Sequence, residues 1–411
     1  MAVSALPPSA QAPSDPPPRS AKAVLFALAM GGFAIGTTEF AAMGVLPEFA
    51  RGLGIDEPTA GHVISAYALG VVAGAPVLAV MGARMSRRVL LIVLMAMFAV
   101  GNGLSALAPT YEWMLAFRFL AGVPHGAYFG VASLVAAGVA EPGKRSQAVS
   151  RVLLGLTVAT VVGVPFAGFV SLIFGWRWTF AIVSVLAILT MALVHALAPR
   201  DPPQPQASPL RELGALANRQ VWLTLGVGAI GFGGMFAVYA YVASTLTAVT
   251  GVGAEVVPWA LGVFGLGMVA GNIAGGVLAD RFGMRAAAML LIWSAAWMAL
   301  YPIATPALWS ILVVVFMIGA GGGLGTVLQM RLMDVAGEAQ TLAAALNHSA
   351  FNTANALGPF LAGAAIAAGW GLPSTGAVGC ALTLGGLAVW GIAWLDGRRA
   401  PLLADKAVQQ C

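Results

Sequence analysis

The chain has 411 residues, of which 60% are hydrophobic and only 9% are charged, and its mean hydropathy is +0.90. A soluble globular domain carries about a quarter charged residues, so this composition excludes an ordinary soluble enzyme and indicates a protein that lies mostly in a lipid bilayer. Cys380 lies in an apolar run and Cys411 is the last residue, so neither a disulfide framework nor a metal site is predicted. The net charge of +5 does not imply a nucleic-acid partner, because the basic residues follow a membrane-topology pattern described below.

Twelve apolar runs are long enough for helices that cross a bilayer, which takes about 20 residues each. Six of them precede a polar, proline-rich stretch at residues 199–220 and six follow it. In chain order the runs cover residues 23–46, 60–81, 89–108, 113–139, 148–172, 178–198, 221–246, 258–279, 286–304, 309–329, 342–368 and 375–395. The sequence therefore predicts an all-α membrane protein with twelve transmembrane helices.

These runs divide the chain into five predicted parts. Residues 1–22 are rich in Pro, Ser and Ala and are predicted to be a disordered cytoplasmic tail, with no signal peptide. The other parts are an N-terminal six-helix bundle, a cytoplasmic linker, a C-terminal six-helix bundle and a second cytoplasmic tail, at residues 23–198, 199–220, 221–395 and 396–411 respectively.

The two predicted bundles repeat one sequence pattern. Residues 69–74 (Leu-Gly-Val-Val-Ala-Gly) return at 266–271 as Leu-Gly-Met-Val-Ala-Gly, 197 positions later. Further residues match at offsets of 197 or 194 positions: Arg84 with Arg281, Arg88 with Arg285, Pro165 with Pro359, and Trp176 with Trp370. A duplicated unit in so apolar a chain is typical of membrane transporters built from two pseudo-symmetric bundles.

The basic residues predict the orientation in the membrane. If the N-terminus is cytoplasmic, seventeen of the 20 Lys and Arg fall in or beside cytoplasmic segments, while Arg51 and Arg177 lie outside and Arg118 lies within a span. The outer loops carry acidic residues instead, among them Glu48 and Glu112. By the positive-inside rule, we expect a multi-pass protein with both termini cytoplasmic.

The loop in the second repeat resembles a signature of the major facilitator superfamily. Residues 276–285 read Gly-Val-Leu-Ala-Asp-Arg-Phe-Gly-Met-Arg, and in that family this loop acts as a latch of the cytoplasmic gate. The first copy has Ala83 where the family usually has Asp, so Asp280 is the better candidate for the latch. The resemblance implies a cytoplasmic gate formed by Arg84, Arg87, Arg88, Asp280, Arg281 and Arg285. Alternatively, the basic residues only anchor the loops at the membrane surface.

Three segments are similar to the twelve-helix drug:proton antiporter branch of that family, which includes arabinose-efflux-permease-like and chloramphenicol-exporter-like members. They are residues 36–47 in helix 1, residues 118–126 in helix 4, and an antiporter motif in helix 5. The motif residues are Gly155, Gly163, Pro165 and Gly168, with Val164 inserted between the usual Gly-Pro pair. The resemblance implies proton-coupled efflux, and with the lack of eukaryotic sorting signals it favours a bacterial plasma (inner) membrane.

Two charged side chains, Glu39 and Arg118, lie deep within predicted spans. A charge at a helix centre costs about 2.5–3.5 kcal/mol on insertion scales, so such residues usually face a cavity and have a partner. At 1.5 Å per residue, Glu39 lies about 12 Å and Arg118 about 8 Å from the same outer surface. We predict that they pair, and that the pair forms and breaks to bind and release a proton. A fixed salt bridge between helices 1 and 4 is the alternative.

His125 lies seven residues after Arg118 on the same helical stripe. It is predicted to be either a second proton-coupling site or a polar contact for substrate. A histidine whose ring is held by a neighbouring backbone carbonyl is the alternative.

Two further helices carry candidate substrate-cavity residues. Helix 11 has a polar stripe of His348, Asn352 and Asn355, which lines either the cavity or a hydrogen-bonded helix contact. Helix 7 presents Phe232, Phe236 and Tyr239 on one face, which form either an aromatic wall for a ligand or ordinary packing.

The predicted function is secondary active transport. The chain lacks a Gly-x4-Gly-Lys-Ser/Thr phosphate loop, and its Gly-rich run at 319–325 lies within a predicted span, so neither an enzyme nor a nucleotide-driven pump is predicted. We expect a monomer without cofactor or metal that uses the proton gradient to export a small organic molecule, such as a drug or sugar, by alternating access. Its partners are then the substrate, protons and the lipid bilayer. Alternatives are a nutrient-uptake symporter or facilitator of the same fold, and a non-transporting membrane receptor.

Overall fold

The computed structural model describes residues 20–55, 57–202, 212–253 and 256–409, and this part of the chain is helical without a β-strand. Most of the predicted tail at residues 1–22, together with linker residues 203–211, lies outside the described residues. The prediction of an all-α membrane fold is confirmed.

The N-terminal bundle contains six long helices. Helix α5 consists of Arg145–Val158, a π-helical turn at Ala159–Gly163, and Val164–Phe174. The turn ends two residues before Pro165, whose ring lacks an N–H and interrupts the regular hydrogen-bond ladder. The other five helices are α1 (Ala21–Gly44), α2 (Glu57–Gly82), α3 (Arg87–Leu107), α4 (Tyr111–Gly138) and α6 (Trp176–Leu197).

The C-terminal bundle repeats this arrangement with more interruptions. Helix α7 is broken into Arg219–Gly231, Gly233–Tyr239, Val242–Thr245 and a π-helical turn at Leu246–Thr250. Helix α10 consists of Leu308–Ala320, a 3-10 turn at Gly321–Gly323, and Leu324–Val335. The other four helices are α8 (Val257–Phe282), α9 (Arg285–Ala304), α11 (Gln340–Ala365) and α12 (Ser374–Gln409). Helix α12 thus continues through residue 396, where the sequence predicted a tail to begin.

Helix α11 is the least apolar of the twelve. Within the described residues, eleven helices are long and apolar enough to cross a membrane, and α11 is not among them. It nevertheless has 26 residues, a length of about 39 Å, which exceeds the ~30 Å of a bilayer's hydrocarbon core. Its Asn347, His348 and Asn352 side chains are buried against the bundle. The neighbouring helices therefore shield these three polar side chains of α11 from lipid.

The glycines of the repeated segment allow two helices to pack closely in each half. A Cβ added at Gly70 of α2 would overlap the carbonyl oxygen of Phe119 in α4. In the second repeat, a Cβ added at Gly267 of α8 would overlap the carbonyl oxygen of Phe316 in α10. In each half these two helices therefore pack backbone against backbone, which only glycine permits at these positions.

Valine at Gly267 is expected to destabilise the protein by about 1–3 kcal/mol or more, because the new side chain overlaps the backbone of α10. Gly262 in the same helix is a matched control, since an added Cβ there meets no other atom within 4 Å. The measurement is the thermal unfolding midpoint in detergent. Equal midpoints for Gly267→Val and Gly262→Val would contradict the packing argument.

The two halves contact each other along α2 and α4 against α11, and along α5 against α8. We call the end of the bundle that carries the loop between α2 and α3 and the described linker residues the linker end. A Cβ added at Gly130, near the end of α4, would lie 2.8 Å from the carbonyl oxygen of Thr341, at the start of α11. One added at Gly276 of α8 would lie 2.8 Å from the Ser150 Cβ of α5. The described conformation is therefore closed at the linker end.

Candidate functional site

A central cavity of about 70 Å³ lies between the two halves. Its walls come from α1, α5, α7, α8, α10 and α11. Among the described residues that line it, Glu39 is the one carboxylate, and lysine and arginine are absent. The other polar side chains that line it are Thr157, Asn272, Thr326, His348 and Asn352. The cavity thus combines one acid with several neutral hydrogen-bonding groups.

Aromatic rings close much of the remaining wall. Phe232, Phe236 and Phe351 line the cavity, and the rings of Phe232 and Phe351 meet edge-on with centroids 4.3 Å apart. Of the six predicted cavity residues, His348, Asn352, Phe232 and Phe236 line this space. Asn355 and Tyr239 do not line it; Tyr239 instead packs its ring 4.7 Å from that of Phe264.

Arg118 lies beside the cavity in a cage of neutral groups. Its side chain is 1% exposed. Nη1 donates to Thr38 Oγ1 at 2.9 Å and to Asn102 Oδ1 at 3.5 Å, and Nη2 donates to the Thr38 carbonyl oxygen at 3.4 Å. The guanidinium also lies 4.4 Å from the centre of the Tyr67 ring. Its Nε is buried and has no hydrogen-bond partner within the described part of the chain.

The predicted direct contact between Glu39 and Arg118 is not formed in this conformation. Within the described residues, the hydrogen-bond partners of Arg118 are Thr38 and Asn102 and do not include Glu39. The guanidinium is instead bonded to the residue that immediately precedes Glu39. The two charges remain near enough to interact through space. Both lie at the protein interior rather than in lipid, as the pairing hypothesis requires.

A chain of aromatic and imidazole groups connects this cage to the cavity. Tyr67 Oη and His125 Nδ1 lie 3.0 Å apart, and His125 Nε2 lies 3.2 Å from His348 Nδ1. His125 belongs to α4 and His348 to α11, so the second contact joins the two halves. The Nε2 atom of His348 is buried and without a hydrogen-bond partner in the described residues. This series of side chains therefore ends at the cavity with one polar atom that has no partner among the described residues.

The antiporter motif of α5 holds that helix against α1. A Cβ added at Gly155 would overlap the carbonyl oxygen of Ala29, and one added at Gly163 would overlap Thr37 Oγ1. Pro165 follows the π-helical turn. Gly168 is not needed for close packing, because a Cβ added there meets nothing within 4 Å. Gly155 and Gly163 thus allow the close approach of α5 to the α1 segment that carries Thr38 and Glu39.

The loop signature of the second repeat makes a contact between the halves at the linker end. The Asp280 carboxylate accepts hydrogen bonds from the backbone N–H groups of Ser146 at 2.8 Å and Gln147 at 3.1 Å. These are free N–H groups in the first turn of α5, where the helix dipole also favours an anion. Within the predicted gate, the Asp280 carboxylate therefore makes the contact that joins the two halves.

Four basic residues of the predicted gate contact the linker or groups of their own half. The backbone N–H groups of Arg87 and Arg88 donate to Asp201 at 2.6 and 3.2 Å, and the Arg88 guanidinium donates to the carbonyl oxygen of His195. Arg281 lies over the Phe282 ring and Arg285 over the Trp394 ring. Arg84 is exposed in the loop that precedes α3. These contacts fix the loops to neighbouring helix ends.

The fold and the central cavity define a membrane transporter with two related six-helix halves. The sequence matches the Major Facilitator Superfamily over residues 28–252, and the chain belongs to this family. This membership confirms the predicted family and the prediction of a transporter rather than an enzyme. The chain is a multi-pass membrane protein.

Curated relatives and solved structures agree with this assignment. The chain is 38% identical to the inner membrane transport protein YdhP of Escherichia coli (strain K12) over 364 residues, which cover 88% of this chain and 94% of that protein. It is 32% identical to a chloramphenicol resistance protein of Streptomyces lividans over 349 residues, covering 82% and 88% respectively. The crystal structure of the E. coli fucose:proton symporter FucP shares the fold, with a TM-score of 0.70, 14% identity and coverage of 90% and 98%.

Proposed function

We propose that the protein exports a small organic molecule in exchange for protons. The observation that carries this proposal is the position of Glu39, an isolated carboxylate in the central cavity beside a caged guanidinium. The similarity to a chloramphenicol resistance protein supports efflux of a drug-like compound. The expected location is a bacterial inner membrane, in line with the name of the relative YdhP.

The exchange follows from the charge balance in the cavity. An isolated carboxylate away from water must be balanced by a proton, by a nearby cation or by a ligand group. Arg118 is the nearby cation, and its contacts with Thr38 and Asn102 keep it out of direct contact with Glu39 in this state. A site that holds either a proton or a substrate, but not both, exchanges the two across the membrane when the halves alternate.

The histidine contact between the halves gives the proton a route that depends on conformation. His125 and His348 are hydrogen-bonded only while α4 and α11 are in contact. Separation of the halves at the linker end would break this contact and expose both rings. Protons could then reach the cavity from the linker end in one state and not in the other, which is the condition for coupling.

The cavity must enlarge to accept a substrate. Its volume of about 70 Å³ holds roughly two water molecules, whereas ligand sites for drug-sized molecules occupy about 300–1,000 Å³. Phe232 and Phe351 form part of the cavity wall and meet edge-on, so these rings are expected to move when the halves rock. Aromatic walls with a few amide and hydroxyl groups suit a compact amphipathic molecule such as an antibiotic, while a sugar would use the polar groups.

The proposal is tested with the purified protein in liposomes that contain a pH-sensitive dye. A proton gradient is imposed, and chloramphenicol, cationic dyes and sugars are added one at a time. Antiport is expected to move protons in the direction opposite to substrate, and at least one compound should dissipate the gradient faster than in empty liposomes. Protons that move with the substrate would establish the symport alternative. Substrate flux without proton movement would establish a facilitator and refute coupling.

A further inference from the structure

The latch made by Asp280 has no side-chain counterpart at the equivalent position of the first repeat. The offset of 197 residues places Ala83 where Asp280 stands in the second repeat (280 minus 197 is 83). The offset of 194 residues places Gln340 and Thr341, in the first turn of α11, where Ser146 and Gln147 stand in α5. Pseudo-symmetry would therefore have the side chain of residue 83 bind the first turn of α11, but the alanine side chain has no hydrogen-bond acceptor.

The linker supplies a carboxylate to the first turn of α11. Glu212 Oε2 accepts a hydrogen bond from the backbone N–H of Leu342 at 3.0 Å, and the same carboxylate is hydrogen-bonded to Thr341. These residues lie in the first turn of α11, which begins at Gln340. The contact is thus the equivalent of the one that Asp280 makes with α5, with the acid supplied by the linker in place of residue 83.

The linker segment after Glu212 is held in position by packing. Residues Leu213–Ala217 form a 3-10 turn in which Ala215 is fully buried in a cluster with Leu342 and Ala75. Because Ala75 belongs to α2 and Leu342 to α11, this cluster contains side chains of both halves. The packing of this segment therefore holds Glu212 at the interface between the halves.

The charge of Glu212 faces both halves. The α11 terminus belongs to the C-terminal half, and Arg87, at the start of α3 in the N-terminal half, interacts with the carboxylate through space. Burial raises the pKa of the Glu212 carboxyl, and its bonds to Leu342 and Thr341 and the charge of Arg87 oppose this effect. When the halves separate at the linker end, the carboxylate cannot keep both the α11 terminus and Arg87 near it.

We propose that Glu212 is a positioning residue that stabilises the state closed at the linker end, where it replaces the acid missing at Ala83. The linker then acts as part of the gate as well as a connection between the bundles. This role requires only that the two halves alternate, and it does not depend on the proton coupling or the substrate proposed above.

The test measures the distance between the halves at the linker end in full-length protein in nanodiscs. Spin labels are attached at Gly138→Cys in α4 and Phe282→Cys in α8, in a background in which Cys380 and Cys411 are replaced. Glu212→Ala is expected to raise the ratio of open to closed molecules about two- to fivefold, the size expected for a charge at a helix terminus. Asp280→Asn should produce a change of the same sign.

A matched control is Glu141→Ala, since Glu141 lies exposed in a loop at the same end and pairs with Lys144 at 2.6 Å within its own half. This variant should leave the ratio unchanged. Adding Ala83→Asp to Glu212→Ala should return the ratio towards the wild-type value, because the acid is restored at the end of α2. A disturbed linker would not be rescued in this way.

Two outcomes would overturn the proposal. One is a Glu212→Ala ratio equal to that of Glu141→Ala while Asp280→Asn shifts it. The other is a shift in Glu212→Ala that Ala83→Asp fails to reverse, since the effect would then come from the linker's local structure. If Glu212→Ala does not fold, Glu212→Gln, which keeps the shape and loses the charge, takes its place in both comparisons.

Discussion

Replacement of Glu39 by glutamine is expected to abolish uphill transport driven by a pH gradient while the protein still folds. Glutamine keeps the size of the side chain and can still form hydrogen bonds in the cavity, but it cannot bind and release a proton. Downhill exchange of labelled for unlabelled substrate should therefore persist. Uphill uptake into inverted vesicles and exchange in liposomes are the two measurements.

A matched control is Glu112→Gln, which changes an exposed acid in the first turn of α4. It should leave both activities at wild-type levels. Uphill transport by Glu39→Gln at the wild-type rate would contradict the coupling role. Loss of exchange as well as uphill transport would indicate that Glu39 also contacts the substrate.

Replacement of Arg118 by alanine is expected to impair transport strongly and to change its dependence on pH. The variant removes the cation nearest to Glu39 and the buried donor to Thr38 Oγ1, and the loss of that donor costs about 1–3 kcal/mol. Asn102 Oδ1 still accepts a hydrogen bond from Thr38 Oγ1 at 2.6 Å. The charge effect and the packing effect must be separated. The measurement is transport rate against pH together with the amount of folded protein.

The conservative variant Arg118→Lys makes that separation. Lysine keeps the positive charge but cannot reproduce the forked contacts with Thr38 and Asn102 or the stacking on Tyr67. It should retain the wild-type pH dependence more closely than alanine does, at a reduced rate. If Arg118→Ala leaves both the pH dependence and the substrate affinity unchanged, the link between Arg118 and Glu39 is refuted.

The fold could be predicted from hydropathy because each span must satisfy its backbone hydrogen bonds within a helix. The limits of this argument appear at α11, whose polar side chains lower its hydropathy below that of the other spans. Its length and its position in the repeat still identified it. The extension of α12 beyond residue 395 carried no such signal, because a helix can leave the membrane without a change in backbone structure.

Several site residues could be predicted because polar or charged side chains are rare within spans. Glu39, His348 and Asn352 were identified in this way, and all three line the cavity. Tyr67 was missed, since a tyrosine in an apolar run resembles ordinary packing. Asn272 and Thr326, which are hydrogen-bonded to each other at 2.6 Å, were not assigned to the cavity because the sequence does not show which face of α8 or α10 points inward.

Contacts between helices could not be predicted, because they depend on how the two halves pack. The sequence placed His125 in proton coupling and His348 in the substrate cavity, and nothing in their spacing of 223 residues indicates that the rings meet. For the same reason Arg118 was expected to contact Glu39 and instead contacts Thr38. A depth argument fixes the level of a residue in the membrane but not its direction around the helix.

The backbone contacts between α2 and α4, and between α8 and α10, restrict how the molecule can deform. Neither helix of such a pair can slide past the other without lifting off it, so the two helices of each pair must move together. Bending is left to the interruptions of the helices, at Ala159–Gly163 in α5, around Phe232 in α7 and at Gly321–Gly323 in α10. Each interruption adjoins or contains a residue that lines the cavity, namely Thr157, Phe232 and Gly322. A substrate bound in the cavity would therefore contact the molecule at the places where its helices can bend.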